Sequence, residues 1–534
     1  MISNRYPNPP PRPYPMSLLR FILGWTMSPA SKSAARLSAA VFVIAAAKLA
    51  LHLYTGRQYG YFVDELYYLA CSRHLAWGYV DQPPLIAAVV WLIRHTLGDS
   101  LPAIRLLPAL AGAALIALAG MLARDLGGGR FAQVLTGIGL LVAPGMLVMH
   151  NLLTMNAWEP LFWTGAALIA LRIVQSGDTR LWIWFGVLAG LGLENKYSMA
   201  IWGAGLVLGL LLTAERRVLA SRWLWIGGAI AALIFLPNLL WNIHHHFPFV
   251  ELQQNIHRSG RDVSLGPLAF LGQEALAMLP LTLPLWAGLS SAGPWPARHR
   301  FLTYAFLFTA VVIMLMSPRI YYLFPAFPVL FAAGGVALER WLARPRFAWI
   351  KPVYAALLLA AGAVVSPVAI PVLAPDQYAR YTQALHIEQP RLENHQLGAL
   401  PQLFADQFGW DEMAAEAARI YNALPSDVRA RTAIFGQNYG EAGAIDFFGP
   451  KYGLPPAISG HQNYFLWGPR GYTGESMIVM HDRPERLRQL FTHVEKAGRV
   501  DHPYSMPYRH FDVYYCTGLK MPMSDLWPKV KAWD

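Results

Sequence analysis

Two short blocks gather titratable side chains that the rest of the first half of this chain avoids. The first reads Tyr61-Phe62-Val63-Asp64-Glu65-Leu66-Tyr67-Tyr68, and the second Trp77-Gly78-Tyr79-Val80-Asp81-Gln82-Pro83-Pro84-Leu85. Both follow the first membrane-length apolar run, near residues 36–54. Carboxylates at a membrane interface are costly unless they pair, hold a cation or face water, so Asp64, Glu65 and Asp81 mark a site. Asp64 and Glu65 are adjacent, so on a helix they point about 100° apart and cannot both address one atom. One is expected to serve chemistry while the other orients or caps. Tyr61 and Tyr68, two helical turns apart, fall on one face.

Cationic candidates lie further along. Lys196 sits in Glu194-Asn195-Lys196, the polar break in the apolar stretch 181–213. A buried lysine needs an anion, which makes it a phosphate candidate. Arg319 opens Ser317-Pro318-Arg319-Ile320-Tyr321-Tyr322-Leu323-Phe324-Pro325 at a span boundary, where a guanidinium fork suits a phosphate. The competing reading of Arg319 is an interfacial anchor in an aromatic belt. His244, His245, His246 and His257 share one polar loop and, with Asp81 or Glu65, have the chemistry for a divalent cation. Three consecutive histidines cannot all ligate one ion from a helix, and a solvated histidine-rich loop is the plainer reading.

The elements that must position these groups are membrane helices. The chain has 534 residues, is 55% hydrophobic and 14% charged, and has a mean hydropathy of +0.33. Soluble domains carry about 25% charged residues, so a single soluble core is excluded. Apolar runs near 36–54, 103–122, 131–149, 157–175, 181–193, 197–213, 223–242, 267–290, 301–316, 321–340 and 352–373 predict about eleven spans. Arg124 and Arg130, Arg172 and Arg180, Arg216, Arg217 and Arg222, Arg298 and Arg300, and Arg340, Arg344, Arg346 and Lys351 occupy alternate loops. That bias predicts a cytoplasmic side for them and accounts for the net charge of +12 without nucleic acid. Asp64, Glu65, Asp81, Glu159, Lys196, the histidine loop and Arg319 then fall on the outer side.

Residues 1–35, with six prolines between 3 and 15, are expected to be a disordered cytoplasmic tail without a cleaved signal peptide. Residues 36–373 form the membrane domain. Residues 374–534 lack a membrane-length run and read as one outer α/β domain, with a helix at Trp410–Asn422 and strands at Thr432–Phe435, Ser476–Met480 and Phe511–Tyr515. Cys71 and Cys516 are too few for a disulfide framework and read as free thiols.

The order and side of these blocks resemble the lipid-linked-sugar glycosyltransferases of family 39, which include protein O-mannosyltransferases and the aminoarabinose transferase of lipid A. The resemblance covers roughly 40–340. It is carried by Asp64-Glu65 after the first helix, by the Trp77–Leu85 block and by Thr154-Met155-Asn156-Ala157-Trp158-Glu159-Pro160-Leu161-Phe162. Asn195-Lys196-Tyr197 and Arg319-Ile320-Tyr321-Tyr322 complete it. It implies a polytopic α-helical membrane protein of the C-type glycosyltransferase fold, with an active site at the outer face of the inner membrane and a periplasmic C-terminal domain. The implied donor is a polyprenyl-phosphate sugar, and the acceptor a lipid, glycan or protein. Asp64 is the implied base, with Glu65 and Asp81 as the other catalytic carboxylates. Lys196 and Arg319 are implied at the donor phosphate, and Tyr68, Gln82, Glu159 and Tyr322 complete the substrate-binding set. A divalent metal ion is an open cofactor and no nucleotide is expected, since no nucleotide-binding fingerprint is present. The chain departs from the aminoarabinose enzyme at Asp81-Gln82, where that enzyme carries Glu-Lys. The alternative reading is a transporter or flippase of lipid-linked sugars, which should show an internal repeat and midplane polar residues. No repeat is seen here.

Overall fold

The computed structural model describes residues 36–259, 265–289, 297–316, 319–389, 396 and 398–534. The expected N-terminal tail, 1–35, lies outside the described residues.

Each of the eleven apolar runs is helical. Backbone groups in hydrocarbon have no water to bond, so a spanning segment must satisfy them internally. Among the described residues six helical segments are long and apolar enough to cross a membrane, and up to nine if each bent pair is one span. The other two runs are α1 (Ala39–Thr55), of 17 residues, and a helix of 14 residues, Trp182–Asn195. The bent pairs are Arg130–Val142 with Pro144–Asn151, Met199–Leu211 with Ala214–Ala220, and Pro267–Ala277 with Pro280–Trp286, kinked by 66°, 118° and 96°. Arg222–His244 leaves Trp225, Leu233 and Leu240 exposed, as a lipid-facing helix does. At the basic end of the bundle, Asp125 binds Arg124 at 2.7 Å and Arg172 at 2.8 Å. There Glu339 accepts the backbone N–H groups of Gly129, Phe131 and Ala132 at the start of the next helix. A carboxylate at a helix N-terminus meets unsatisfied donors and the positive end of the dipole.

Two short helices follow α1 at the opposite end. In α2 (Val63–Cys71), the third residue Glu65 reaches back to accept the Phe62 N–H at 2.8 Å. Pro83-Pro84 then sets the start of α3 (Leu85–Thr96), and α4 (Leu101–Asp125) returns across the bundle.

The C-terminal part holds a four-stranded sheet of order β1-β2-β4-β3. Strands β1 (Thr432–Phe435) and β2 (Ser476–Met480) are parallel, while β4 (Phe511–Leu519) runs antiparallel to β2 and to β3 (Phe491–Val500). β1, β2 and the start of β4 lie where the sequence predicts them, as does the helix Trp410–Asn422. β3 is an edge strand absent from the sequence reading. Its interior residues are exposed or half-buried and largely polar, so no apolar alternation announces it. Cys71 and Cys516 are buried free thiols, as expected.

One core joins the two parts. Leu66, Tyr67, Ile86 and Ile104 pack in the same apolar cluster as Trp410, Ile434, Ala442 and Ile445. Helix α5 (Tyr439–Phe448) lies on α2 because it presents glycines there. A Cβ on Gly440 would come within 2.4 Å of Val63, and one on Gly443 within 3.1 Å of the Leu66 backbone.

Candidate active site

Helix α2 separates its two acids as helical geometry requires. Glu65 turns inward, with 0% exposure, and forms a bidentate pair with Arg105 of α4 at 2.8 Å for each oxygen. It also accepts the Leu153 N–H at 2.9 Å. Arg105 continues to the Gly60 carbonyl at 2.8 Å and to Gln407 of the C-terminal part at 3.2 Å. Glu65, expected among the catalytic carboxylates, is thus a buried structural ligand with its oxygens already engaged. Arg105 gave no sequence signal, since it lies within an apolar helix 40 residues away.

Asp64 faces the other way. Its Oδ1 accepts the Tyr439 hydroxyl at 2.7 Å. Asp81 Oδ1 accepts the Tyr67 hydroxyl at 3.0 Å. The Tyr67 ring packs on Tyr439 at 4.6 Å, and His461 stacks on Tyr439 as well, at 5.0 Å and nearly parallel. Asn463 fixes the second block by accepting the Val80 N–H at 2.7 Å. Burial pushes the Asp81 carboxyl up to about 7, and the nearby Asp64 charge adds to this against the Tyr67 hydrogen bond. Tyr68 is buried beside the same acids; burial raises its hydroxyl well above the ordinary range, with Asp64, Asp81 and Tyr439 contributing. Gln82 points away from them, its amide 3.8 Å from the Cys71 sulfur and its carbonyl oxygen buried without a partner among the described residues.

A cationic cluster forms where the helix Trp182–Asn195 ends. Lys196 has an extended backbone and its Nζ lies 2.9 Å from both Glu159 Oε2 and Asn156 Oδ1. The same Nζ sits 4.5 Å from the Tyr322 ring centre and 5.2 Å from that of Tyr321. Glu159 also accepts from the Ser198 hydroxyl, so it acts as the counter-ion and anchor of Lys196. That is a narrower place than the substrate contact expected of it. Arg319 immediately precedes the turn Ile320–Tyr322 that carries both aromatic rings. Thus Lys196, Tyr322 and Glu159 are brought together, with Arg319 two and three residues from their aromatic lid.

Tyr197 links the two ends. Its hydroxyl donates to Asn238 at 3.3 Å and accepts from Asn242 at 3.2 Å. The Asn238 amide in turn donates to the Trp77 carbonyl at 2.8 Å, which ties the segment after Lys196 to the block that carries Asp81. The carboxylate end and the Lys196 end therefore border one region. Tyr197, Tyr439 and His461 belong to it and were missed in the sequence. Tyr197 had a signal, being adjacent to Lys196 in the polar break; Tyr439 and His461 had none.

The histidine loop does not join. His245 bonds the Trp241 carbonyl at 2.8 Å and stacks on the Trp241 ring at 4.1 Å. Among the described residues no three His, Cys, Asp or Glu side chains converge as a metal set.

Residues 81–241 match the family model for dolichyl-phosphate-mannose-protein mannosyltransferase. A curated relative is the lipid A galacturonosyltransferase RgtD of Rhizobium johnstonii (strain DSM 114642 / LMG 32736 / 3841), 30% identical over 198 residues. That match covers 37% of this chain and 41% of the relative, so it spans about two fifths of the relative's length. Two crystal structures of ArnT from Cupriavidus metallidurans align with TM-scores of 0.57, one bound to undecaprenyl phosphate and one in the apo state. They are 17% and 16% identical, and the alignments cover 90% and 89% of this chain and 98% and 97% of theirs. At that identity the likeness is one of fold. This chain therefore shares the fold of ArnT and carries, over residues 81–241, the sequence signature of that mannosyltransferase family.

Proposed function

We propose that this protein transfers a sugar from a polyprenyl-phosphate donor to a lipid acceptor at the outer face of the inner membrane. One observation carries the reading: Asp64 and Asp81 are held by two tyrosines whose rings pack at 4.6 Å, and the second block is tied through Asn238 to Tyr197, the neighbour of a lysine set against two tyrosine rings. The likeness to a fold solved with undecaprenyl phosphate supports a lipid-phosphate donor.

In this reaction Asp64 takes the proton from the acceptor hydroxyl as that oxygen attacks the anomeric carbon. The bond between that carbon and the phosphate oxygen breaks, and the polyprenyl phosphate leaves with the bonding pair. Lys196 and Arg319 stabilise the charge that grows on the phosphate. The Tyr439 hydroxyl orients Asp64, and Asp81, held by Tyr67, shares the proton economy of the pair. Tyr68 and Tyr322 line the sugar and phosphate ends, and Glu159 holds Lys196 in place. No nucleotide enters the reaction. Chelation followed by re-addition tests whether a divalent ion takes part.

The test uses purified protein in detergent with polyprenyl-phosphate sugars and lipid acceptors, and reads release of polyprenyl phosphate together with glycosylated lipid. Coupled appearance of both products, lost in Asp64→Asn, supports transfer. Movement of intact donor across a liposome bilayer without product, unaffected by Asp64→Asn, would instead identify a flippase. An active alkaline phosphatase fused after Asp534 checks the side on which the C-terminal part sits.

A further inference from the structure

A second polar site lies at the opposite end of α2 from Asp64. An open groove of about 480 Å³ is lined by Ser72, Arg73, Trp91, Arg94, His95 and Asp99, among others. Arg94 is fixed in it: one guanidinium nitrogen contacts Ser72 Oγ at 3.1 Å and the other Asp99 at 3.5 Å. Its Nε is buried without a hydrogen-bond partner among the described residues. Arg73 is exposed and bonds only the Asp446 backbone carbonyl, at 3.0 Å; no carboxylate pairs with it among the described residues. Arg94 bonds Ser72, the residue next to Arg73, so both guanidiniums line one groove. Two arginines against one half-exposed aspartate leave the groove net positive, and like charges gathered this way are relieved by an anion.

The surroundings are apolar. Trp91, at 41% exposure, lies against the His95 ring at 4.2 Å. Leu92 and Leu97 of the same stretch are half exposed. A free inorganic anion gains nothing from such a rim, whereas an amphiphile places its headgroup on the arginines and its chains along α3. Asp64 lies in the first turn of α2 and Arg73 just past its last residue, so the nine-residue helix, roughly 13 Å long, separates them. That separation suits a lipid whose anionic group and reactive hydroxyl are at different points of one glycan headgroup.

We propose that this groove holds the phosphate of the acceptor lipid and thereby presents its hydroxyl toward Asp64. The substrate class is a phosphate-bearing glycolipid. The word acceptor rests on the transferase reading above, while the anionic-lipid site itself does not.

The test has a binding arm and a turnover arm. Dioctanoyl phosphatidic acid, dioctanoyl phosphatidylcholine and inorganic phosphate are titrated into the full chain in micelles by calorimetry. Phosphatidic acid should bind, and the other two should not at equal concentration. Arg73→Gln, at an exposed position with one hydrogen bond, should weaken phosphatidic acid about tenfold, the effect of losing a charge-assisted contact. Lys196→Gln, in the donor cluster, should leave that binding intact. Equal binding of inorganic phosphate would mean a simple anion site, and equal binding of phosphatidylcholine a mere lipid contact; either overturns the proposal, as does indifference to Arg73→Gln. In turnover, Arg73→Gln should raise the acceptor KM about tenfold and leave the donor KM unchanged. Lost lipid binding with an unchanged acceptor KM overturns the acceptor assignment. Intact lipid binding with no turnover in the unmodified protein would fault the transferase reading instead.

Discussion

The Tyr439 hydroxyl donates to Asp64 Oδ1 at 2.7 Å across 375 positions of sequence. The C-terminal part therefore supplies a side chain to the carboxylate proposed to do the chemistry, and does not merely sit above it. The contact exists because Gly440 and Gly443 let α5 settle on α2, and because His461 and Tyr67 both pack on the Tyr439 ring.

Asp64→Asn should lower the transfer rate by about 10²–10⁴-fold, the usual contribution of a general base. Tyr439→Phe keeps the ring packing and removes only the donor, so a loss of about 1.5 kcal/mol, roughly tenfold in rate, is expected. Both variants should keep the melting temperature in detergent. Full activity in Tyr439→Phe would separate the C-terminal part from the site.

Asp81 gives a pH signature. Its carboxyl rises from 3.8 to about 7 on folding, so between those values the folded chain holds a proton that the unfolded chain has lost. Stability should then fall as pH rises through that window and level off above it. In Asp81→Asn the slope should vanish, and the melting temperature at pH 8 should exceed that of the parent. A thermal-shift series from pH 4 to 8 on both proteins shows whether the slope belongs to Asp81.

Glu65→Gln tests the division of labour on α2. The change leaves Arg105 buried without its counter-charge, and breaking such a pair costs about 3–5 kcal/mol. Chemical denaturation or thermal melting should show that loss, whereas Asp64→Asn should not. A Glu65→Gln protein of normal stability but no activity would return Glu65 to the catalytic group.

Donor use should respond to the cationic end. Lys196→Met removes a charge-assisted contact worth about 1.5–3 kcal/mol and should raise the donor KM accordingly. Arg319→Lys keeps the charge but loses the planar fork, so it should weaken the donor more than the same change at exposed Arg73. If Arg319 only anchors its helix at the headgroups, Arg319→Lys will be silent in a donor titration at matched expression.

The sequence by itself determined the eleven helical runs, because hydrocarbon leaves a chain few other ways to satisfy its backbone. It also placed the polar break at Lys196 and three of the four strands, whose apolar runs are local signals. The divergence of Asp64 from Glu65 followed from helical geometry alone, but which of them was the structural one did not. That depended on Arg105, 40 residues on in another helix. Edge strand β3 was illegible because its interior faces are solvated and carry no alternation. Lys196 was legible as a lysine in need of an anion. That Glu159, 37 positions earlier, and the rings of Tyr321 and Tyr322 surround it was decided by helix packing. The approach of Tyr439 and His461 to Asp64 was likewise settled only when two parts of the chain closed on one core, since hydrogen bonds between distant residues leave no periodic trace in either partner's neighbourhood.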